Sequence, residues 1–459
     1  MAEEEEDLKS HATEKDNEPF DYNQVDPLAA IGYSAEPGDI YYINPPQELS
    51  TYPMYIENPQ KVEKKVGTYI SYTLNGTDIT EQMSRRYSDF YALYEKLLVR
   101  WPGVYVPRIP PKKLTKNTSR KMIKNRMRLL NRFCLNLSNI DYLYSSDETS
   151  LFKGNTSDLA NSITKLPDLS NEEYLAKLKD AFPQYNENYD ILLGKGKINE
   201  FDLFLKKSLK NIEVFQKCVE SAVEKREHEK KKYVELINGL VDYEKKSMIF
   251  YADDNNSCLI FNNPAYTELA EKVNKLKNEM INPYTAFKDW LEEEILDAEA
   301  MSIAIKGINE LMEKEDKFRQ KLEGIEADLK KLEGGGSSLK TLFKKKEDVI
   351  ANKQKEKEEA QEKLNNMELI VKIVADNMEK QIDEFKNLKT QTYYKYLKIF
   401  AILQRESNKV IRELWTLVKN ALNEVAPNAS QANEDYVAQP ISNQNNEEEQ
   451  VDGDGEGDE

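Results

Sequence analysis

The sequence predicts a small α+β domain followed by an all-α rod of three long helices, with a polar acidic tail at each end. Three observations lead there. The formal net charge of -17 is spread very unevenly along 459 residues. Two runs rich in Tyr, Ile and Thr, near residues 54–76, read as paired strands before the chain turns helical. From about residue 197 to 425, apolar residues recur at helical and coiled-coil spacing. Only 17 Gly and 17 Pro interrupt a chain that is 32% charged, which favours long, charged helices.

The charge separates the elements. Residues 1–50 hold 13 Asp/Glu against 2 Lys/Arg, and residues 426–459 hold 10 acidic residues and no basic one. The tails therefore carry -11 and -10, which leaves +4 for the middle. Both tails are predicted to be disordered, with little to bury. Solubility is the bland role for them; masking a basic domain is the sharper one. Residues 51–155 carry 18 basic and 9 acidic residues, or +9, and eleven basic residues without one acid lie between Arg100 and Ile140. Such asymmetry points to an anionic partner.

Within 51–155, "MYIENPQ" and "TYISYTLNG" read as a hairpin punctuated by Asn-Pro and Asn-Gly. A strand then runs into a helix, "SDFYALYEKLLVRW", with Phe90, Leu93, Leu97 and Leu98 on one face and Ser88 or Asp89 as its cap. "VPRIPPKK" cannot be helical. "KMIKNRMRLLNRFCLNL" resumes helical spacing through Ile123, Leu130, Phe133 and Leu137. The connector, residues 156–196, holds a helix opened by the capping box Ser170–Glu173 and stopped by Pro183. Its stripe of Tyr174, Leu175, Leu178 and Phe182 suits either docking on a neighbour or a membrane interface.

The rod, residues 197–425, is expected as three helices. The first spans about Asn199 to Tyr251. The second opens at Asn263-Pro264, kinks at Asn282-Pro283 and reaches "KLEGGGSS"; the third runs from near Leu339 to before Pro427. Seams at Phe318, Leu322, Ile325, Leu329 and Leu332, and at Val371, Val374, Met378, Ile382, Phe385 and Leu388, have coiled-coil periodicity. So long and thin a rod, at ~1.5 Å per residue, exposes apolar seam, and a dimer is the economical way to bury it.

Several function classes are disfavoured. Cys134, Cys218 and Cys258 are scattered without metal or redox spacing and suit a reducing compartment. The two histidines, His11 and His228, form no triad or zinc cluster. "EGGGSS" lacks the Gly-Lys-Ser/Thr of a phosphate-binding loop. No enzyme activity, metal or cofactor is expected. The opening "MAEEEEDLKS" has no signal-peptide pattern, and no apolar run approaches the ~18 residues of a membrane span. The basic stretch is short of aromatics for base stacking, so no nucleic acid is expected as partner.

The order of the basic residues is more specific than their number. Arg86 precedes Tyr87 where strand meets helix, Lys112 sits in the proline loop, and Arg126 lies in the following helix. Forked arginines, a point-charge lysine and an aromatic face suit a phosphorylated ring. "RRYSDF", "VPRIPPKKL" and "RMRLLNRFC", in that order, resemble the phosphoinositide-binding PX domain, and the trailing rod is similar to a BAR domain. Residues 50–425 together resemble a sorting nexin of the PX-BAR type.

The resemblance implies a 3-phosphate at Arg86, ring stacking on Tyr87, a lipid-linking phosphate at Lys112 and head-group hydroxyls at Arg126. Lys113 and Arg128 could each replace a neighbour in this register. Arg108 stands where the family often has proline, and the loop after Lys112 is short and poor in large apolar groups. The resemblance further implies phosphatidylinositol 3-phosphate or a related lipid as ligand, an anionic membrane surface and a homodimer or a heterodimer with another PX-BAR protein. A retromer-like cargo complex and a place on the cytosolic face of endosomes also follow from it. Lys344, Lys345 and Lys346, at the rod's glycine turn, are candidate membrane contacts. The competing class is a coiled-coil scaffold whose basic domain docks another protein.

Overall fold

The computed structural model describes residues 52–63, 68–112, 119–251, 258–334 and 346–425. Both acidic tails lie outside the described residues. The chain divides into two compact units, one within residues 1–224 and 283–403, the other within 225–282 and 404–459.

The first unit opens with a three-stranded antiparallel meander: β1 (Tyr55–Glu63), β2 (Thr68–Asn75) and β3 (Met83–Arg86), in the order β1-β2-β3. The Asn-Pro pair in β1 does not end the strand. The register shifts between Glu57 and Gln60, and Asn58 takes φ 50°, so Asn58-Pro59 is a bulge that seats a proline without a missing ladder donor. Gly76 follows β2 at φ 154°, and a Cβ there would overlap the Pro53 carbonyl. Glycine is required at that turn.

Helix α1 (Tyr87–Arg100) follows β3 without a loop. Its apolar spacing puts Phe90, Leu93 and Leu97 in full burial. Phe90 packs edge-on against Phe133 of α2 (Arg120–Ser138) and Phe152 of α4 (Asp147–Lys153), with centroids 6.3 and 4.9 Å apart. Burying each such ring contributes about 1.5–3 kcal/mol. Short helices α3 (Asp141–Tyr144) and α5 (Leu159–Thr164) close this layer.

Connector helix α6 (Asn171–Ala181) begins with the expected capping box: Glu173 N–H donates to Ser170 Oγ, and Ser170 N–H to Glu173 Oε2. Tyr174, Leu175 and Leu178 are buried, so its stripe is docked on protein. Tyr174 Oη donates to the Pro102 carbonyl at 2.6 Å.

The rod's first helix, α7, runs Ile191–Lys246 and thus starts inside the predicted connector. Asp190 makes this possible by accepting the Leu192 and Leu193 N–H groups at the helix start. Two further expectations fail. Asn263-Pro264 does not open the next helix; Asn263 accepts the Ala265 N–H in a local turn, and α8 spans Thr267–Glu279. Asn282-Pro283 is a full stop, not a kink, because α9 (Tyr284–Glu333) starts afresh after Pro283. Helix α10 spans Lys346–Val425.

In the first unit, Met301, Ile305 and Ile308 of α9 and Val371, Val374 and Met378 of α10 share one continuous core with α1, α2 and α6. Gly307 explains part of the closeness. A Cβ there would overlap the backbone of Gly103, itself at φ 81°. A mid-helix glycine costs about 1 kcal/mol against alanine, and here it admits the Pro102-Gly103 turn.

The seams are buried within the single chain. Leu322, Ile325 and Leu329 pack on Ala360 and Leu364, and of the second seam only Leu388 is exposed. The argument that a dimer must cover them is therefore corrected. Other apolar residues of this unit are left open, among them Leu203, Phe204 and Phe215 of α7 and Tyr393, Tyr394 and Leu397 of α10.

In the second unit, Ile237, Leu269, Leu276, Leu414 and Val418 form a separate core. The buried Glu244 carboxylate accepts backbone N–H groups of Ile260, Phe261 and Asn262, pinning the turn before α8. No described helix is long and apolar enough to cross a membrane.

Candidate functional site

Alternation along β3 separates two adjacent arginines. Arg85 points inward and is buried. Its guanidinium donates to the Phe152 carbonyl at 2.8 and 3.0 Å, to the Gly154 carbonyl at 2.6 Å and to the Ser84 carbonyl at 2.9 Å. Burial works against its charge, so these carbonyls are what make the position tolerable. Arg85 is an anchor for the end of α4, and only period-two alternation in the strand could have marked it off.

Arg86 points the other way, with its side chain about 43% exposed. It is the N-cap of α1. Asp89 does not cap the helix itself; from the third helical position it accepts the Arg86 N–H at 2.9 Å and faces Arg86 Nε at 3.3 Å. The guanidinium lies 5.8 Å from the Tyr69 ring centroid. Arg86 Nε is thus held by Asp89, and the partly exposed guanidinium stands beside the positive end of the α1 dipole.

Tyr87 is half-buried and fixed at both ends. Its Oη donates to the Pro110 carbonyl at 2.6 Å, and the Arg126 guanidinium lies over its ring at 4.9 Å. Burial pushes the Tyr87 hydroxyl up to about 12, against the nearby Arg126 charge. Lys112 is exposed and two residues beyond Pro110, so its Cα lies within ~7.6 Å of that anchor. The structure therefore brings Tyr87 and Arg126 into contact, with Arg86 adjacent in the chain but turned to the Tyr69 ring, and tethers the Lys112 loop beside Tyr87. Lys113 falls outside the described residues, as do Lys344 and Lys345; Lys346 opens α10, and its side chain is not described.

The rest of the basic run does different work. Arg128 is no substitute for Arg126: it donates to Glu293 at 2.5 Å and to Glu292 at 2.7 Å, on α9. Arg132 pairs with Asp297 at 2.6 Å and with Glu293 at 3.2 Å. Arg108, the departure from the proline pattern, pairs with Glu299 at 2.7 Å. Arg100 is held by Asp147 at 2.9 Å and by the fully buried Glu148. Four of the eleven cations are thus spent inside the fold. The acids that match Arg108, Arg128 and Arg132 were visible in "KDWLEEEILDAEA", and those of Arg100 in "SSDETS", but nothing in the sequence said which cations they face.

The PX domain family matches residues 75–153, a span that includes Arg86, Tyr87, Lys112 and Arg126. Residues 75–153 are thus a PX domain. At larger scale, the chain is similar to a structure described as the cryo-EM structure of the SNX-BAR Mvp1 tetramer, with 15% identity and a TM-score of 0.50. The match covers 79% of this chain and 99% of that one. Over that span the chain has the fold of a PX-BAR sorting nexin.

Proposed function

We propose that the chain is a peripheral membrane protein that binds a 3-phosphorylated phosphoinositide through its PX domain. Arg86 takes the 3-phosphate, Tyr87 supplies the ring face, Arg126 reaches the far hydroxyls and Lys112 meets the phosphate joining head group to lipid tails. The observation that carries this reading is the Arg126–Tyr87 stack beside Arg86, anchored by Tyr87 to the proline loop. Arg126 lies on the Tyr87 ring, Arg86 precedes Tyr87 in the chain with its guanidinium fork over Tyr69, and the Arg86 side chain is exposed enough to meet a ligand. A fork of that kind matches phosphate oxygens two at a time.

A dimer formed through the open apolar positions of α7 and α10, with itself or another PX-BAR protein, would add a second, curvature-dependent membrane contact. Two weak contacts on one rigid body gain from effective concentration. We place the protein on the cytosolic face of endosomal membranes, in tubule-based cargo retrieval with a retromer-like complex. It performs no chemistry of its own.

Liposome sedimentation tests the central step. The protein should pellet with vesicles containing phosphatidylinositol 3-phosphate and not with vesicles lacking it, and Arg86→Ala should abolish the difference. Equal pelleting with both vesicles, or an unaffected Arg86→Ala variant, would favour the scaffold reading instead.

A further inference from the structure

Residues 105–112, the segment that ends at Lys112, belong to no helix or strand, and Pro107, Pro110 and Pro111 have no N–H to donate. Val106 and Ile109 are buried, but apolar contact is non-directional and does not by itself fix the register of an extended chain. Two side-chain contacts supply direction. Tyr87 Oη of α1 donates to the Pro110 carbonyl. Two residues earlier, Arg108 Nε pairs with Glu299 Oε2 of α9 at 2.7 Å. A proline at position 108 could not make this second contact.

The pair is firmly seated on the rod side. Glu299 stands between Ala298 and Ala300, both buried, so its backbone belongs to the core of the first unit. The Arg108 and Glu299 side chains are 28% and 35% exposed, which takes the pair partly out of water. Burial pushes the Glu299 carboxyl up, Arg108 opposes that, and Glu213 of α7 adds to it. The Arg108 charge also acts on the Tyr87 and Tyr94 hydroxyls of α1, so it stands near the candidate site as well as the rod.

One directional contact lets a segment pivot; a second, two residues away, sets its heading. With Arg108 and Pro110 both held, only Pro111 separates the fixed stretch from Lys112. We infer that Glu299 is a positioning residue for head-group recognition: acting through Arg108, it aims the proline segment and therefore Lys112, so that the rod completes the PX site. This rests on the lipid reading above. The competing account is that the pair only fastens the PX domain to the rod, as those of Arg128 and Arg132 do.

The test measures binding of the full chain to vesicles with and without phosphatidylinositol 3-phosphate. Glu299→Gln and Arg108→Gln should each weaken lipid-dependent binding about twofold to tenfold, the worth of one net hydrogen bond. Arg108→Lys, which keeps the charge, should recover most of that loss. In a Lys112→Ala background, Glu299→Gln should cost clearly less than in wild type, because the group it aims is gone. Should Glu299→Gln fail to fold, Arg108→Gln breaks the same contact from the loop side and takes its place in the cycle. If wild type prefers the lipid while both Gln variants bind as wild type does, the inference is overturned and the lipid reading stands. Losses fully additive with that of Lys112→Ala, or Arg108→Lys binding no better than Arg108→Gln, overturn it equally. A wild-type chain that shows no preference for the lipid removes the lipid reading, and this inference with it.

Discussion

Arg126 and Arg128 stand two residues apart in α2, yet the first lies over Tyr87 and the second is held by Glu292 and Glu293 of the rod. At 100° per residue, a two-residue step turns a side chain to the opposite face of a helix, whereas Arg132, four residues beyond Arg128, returns to its face. One helix therefore presents one cation to the Tyr87 ring and a pair to the rod. The difference lies in what surrounds them. Around Arg86 and Arg126 the protein supplies rings, a carbonyl anchor and a single carboxylate; around Arg128 and Arg132 it supplies at least three carboxylates. A charge left without enough counter-charge can recruit a ligand, and a charge already matched holds the domain to the rod.

The largest expected effect comes from breaking the rod-facing side. Burial works against the Arg132 charge, and Asp297 with Glu293 outweigh it. Arg132→Ala would leave Asp297, almost fully buried, with Lys389 as its remaining cation at 2.6 Å. Removing one partner of a buried pair typically costs about 3–5 kcal/mol. Chemical denaturation should register a loss of that order. Vesicle binding, measured where the variant is still folded, should be unchanged; a variant as stable as wild type would make the rod-facing pairs ornamental.

Breaking the ligand-facing side should give the reverse pattern. A charge-assisted hydrogen bond to a phosphate contributes about 1.5–3 kcal/mol, or roughly tenfold to a hundredfold in affinity. Arg86→Ala should weaken binding to phosphatidylinositol 3-phosphate vesicles by that factor while the melting temperature moves little. The Arg86 side chain is too exposed, and its contact with Asp89 too peripheral, for a large stability effect. Loss of fold with Arg86→Ala would merge the two classes of cation that the structure separates.

How much of this division was readable in advance depends on which residues are asked. The α1 core positions Phe90, Leu93 and Leu97 and the Ser170–Glu173 capping box are local patterns, and local patterns survive folding. Motif order put Arg86, Tyr87 and Arg126 in one candidate site, and of that grouping the structure shows the Arg126–Tyr87 contact. By contrast, the partners of Arg108, Arg128 and Arg132 lie more than 150 residues away, where no periodicity reaches. The faces of α2 could have been assigned from helical geometry alone, but the acidic surface of α9 that gives one face its meaning could not. The rod shows the same limit: seam periodicity marked the buried stripes, Leu388 excepted, but the expectation that a dimer was needed to cover them failed because their own chain does so.

A subtler separation concerns Tyr87, which carries both a ring contact and a hydrogen bond. Tyr87→Phe keeps the ring beneath Arg126 and removes the hydrogen bond to Pro110. A net loss of about 1 kcal/mol in stability is expected, and the proline loop should exchange its amides faster. If stacking is what the ring contributes, vesicle binding should fall only as far as the loosened Lys112 loop requires, within about threefold by the same scale. A drop as deep as that of Arg86→Ala would mean that loop position, rather than the aromatic face, governs recognition.

The smallest effect is a pH dependence that sets two rod carboxylates against each other. Burial pushes Asp289 up to about 6, despite Arg128 at 3.5 Å, while Asp297 is held low: burial raises it, and Arg132 and Lys389 more than compensate. An ordinary aspartate titrates near ~3.9. Between about pH 4 and 6 the folded chain therefore binds the Asp289 proton more tightly than the unfolded chain does, so this group adds stability as pH falls through 6. Asp297 has the opposite sign, contributing stability above the ordinary aspartate range and losing it as pH drops through its own lowered value. Asp289 is more than a third exposed, which limits the expected effect to less than about 1 kcal/mol. Melting curves of Asp289→Asn should accordingly lie slightly above wild type at pH 7.5 and converge on it by about pH 4.5. A variant less stable than wild type at pH 7.5 would mean that the Arg128 contact outweighs the burial of Asp289, and that even the weakest of the rod-facing pairs is a net attraction.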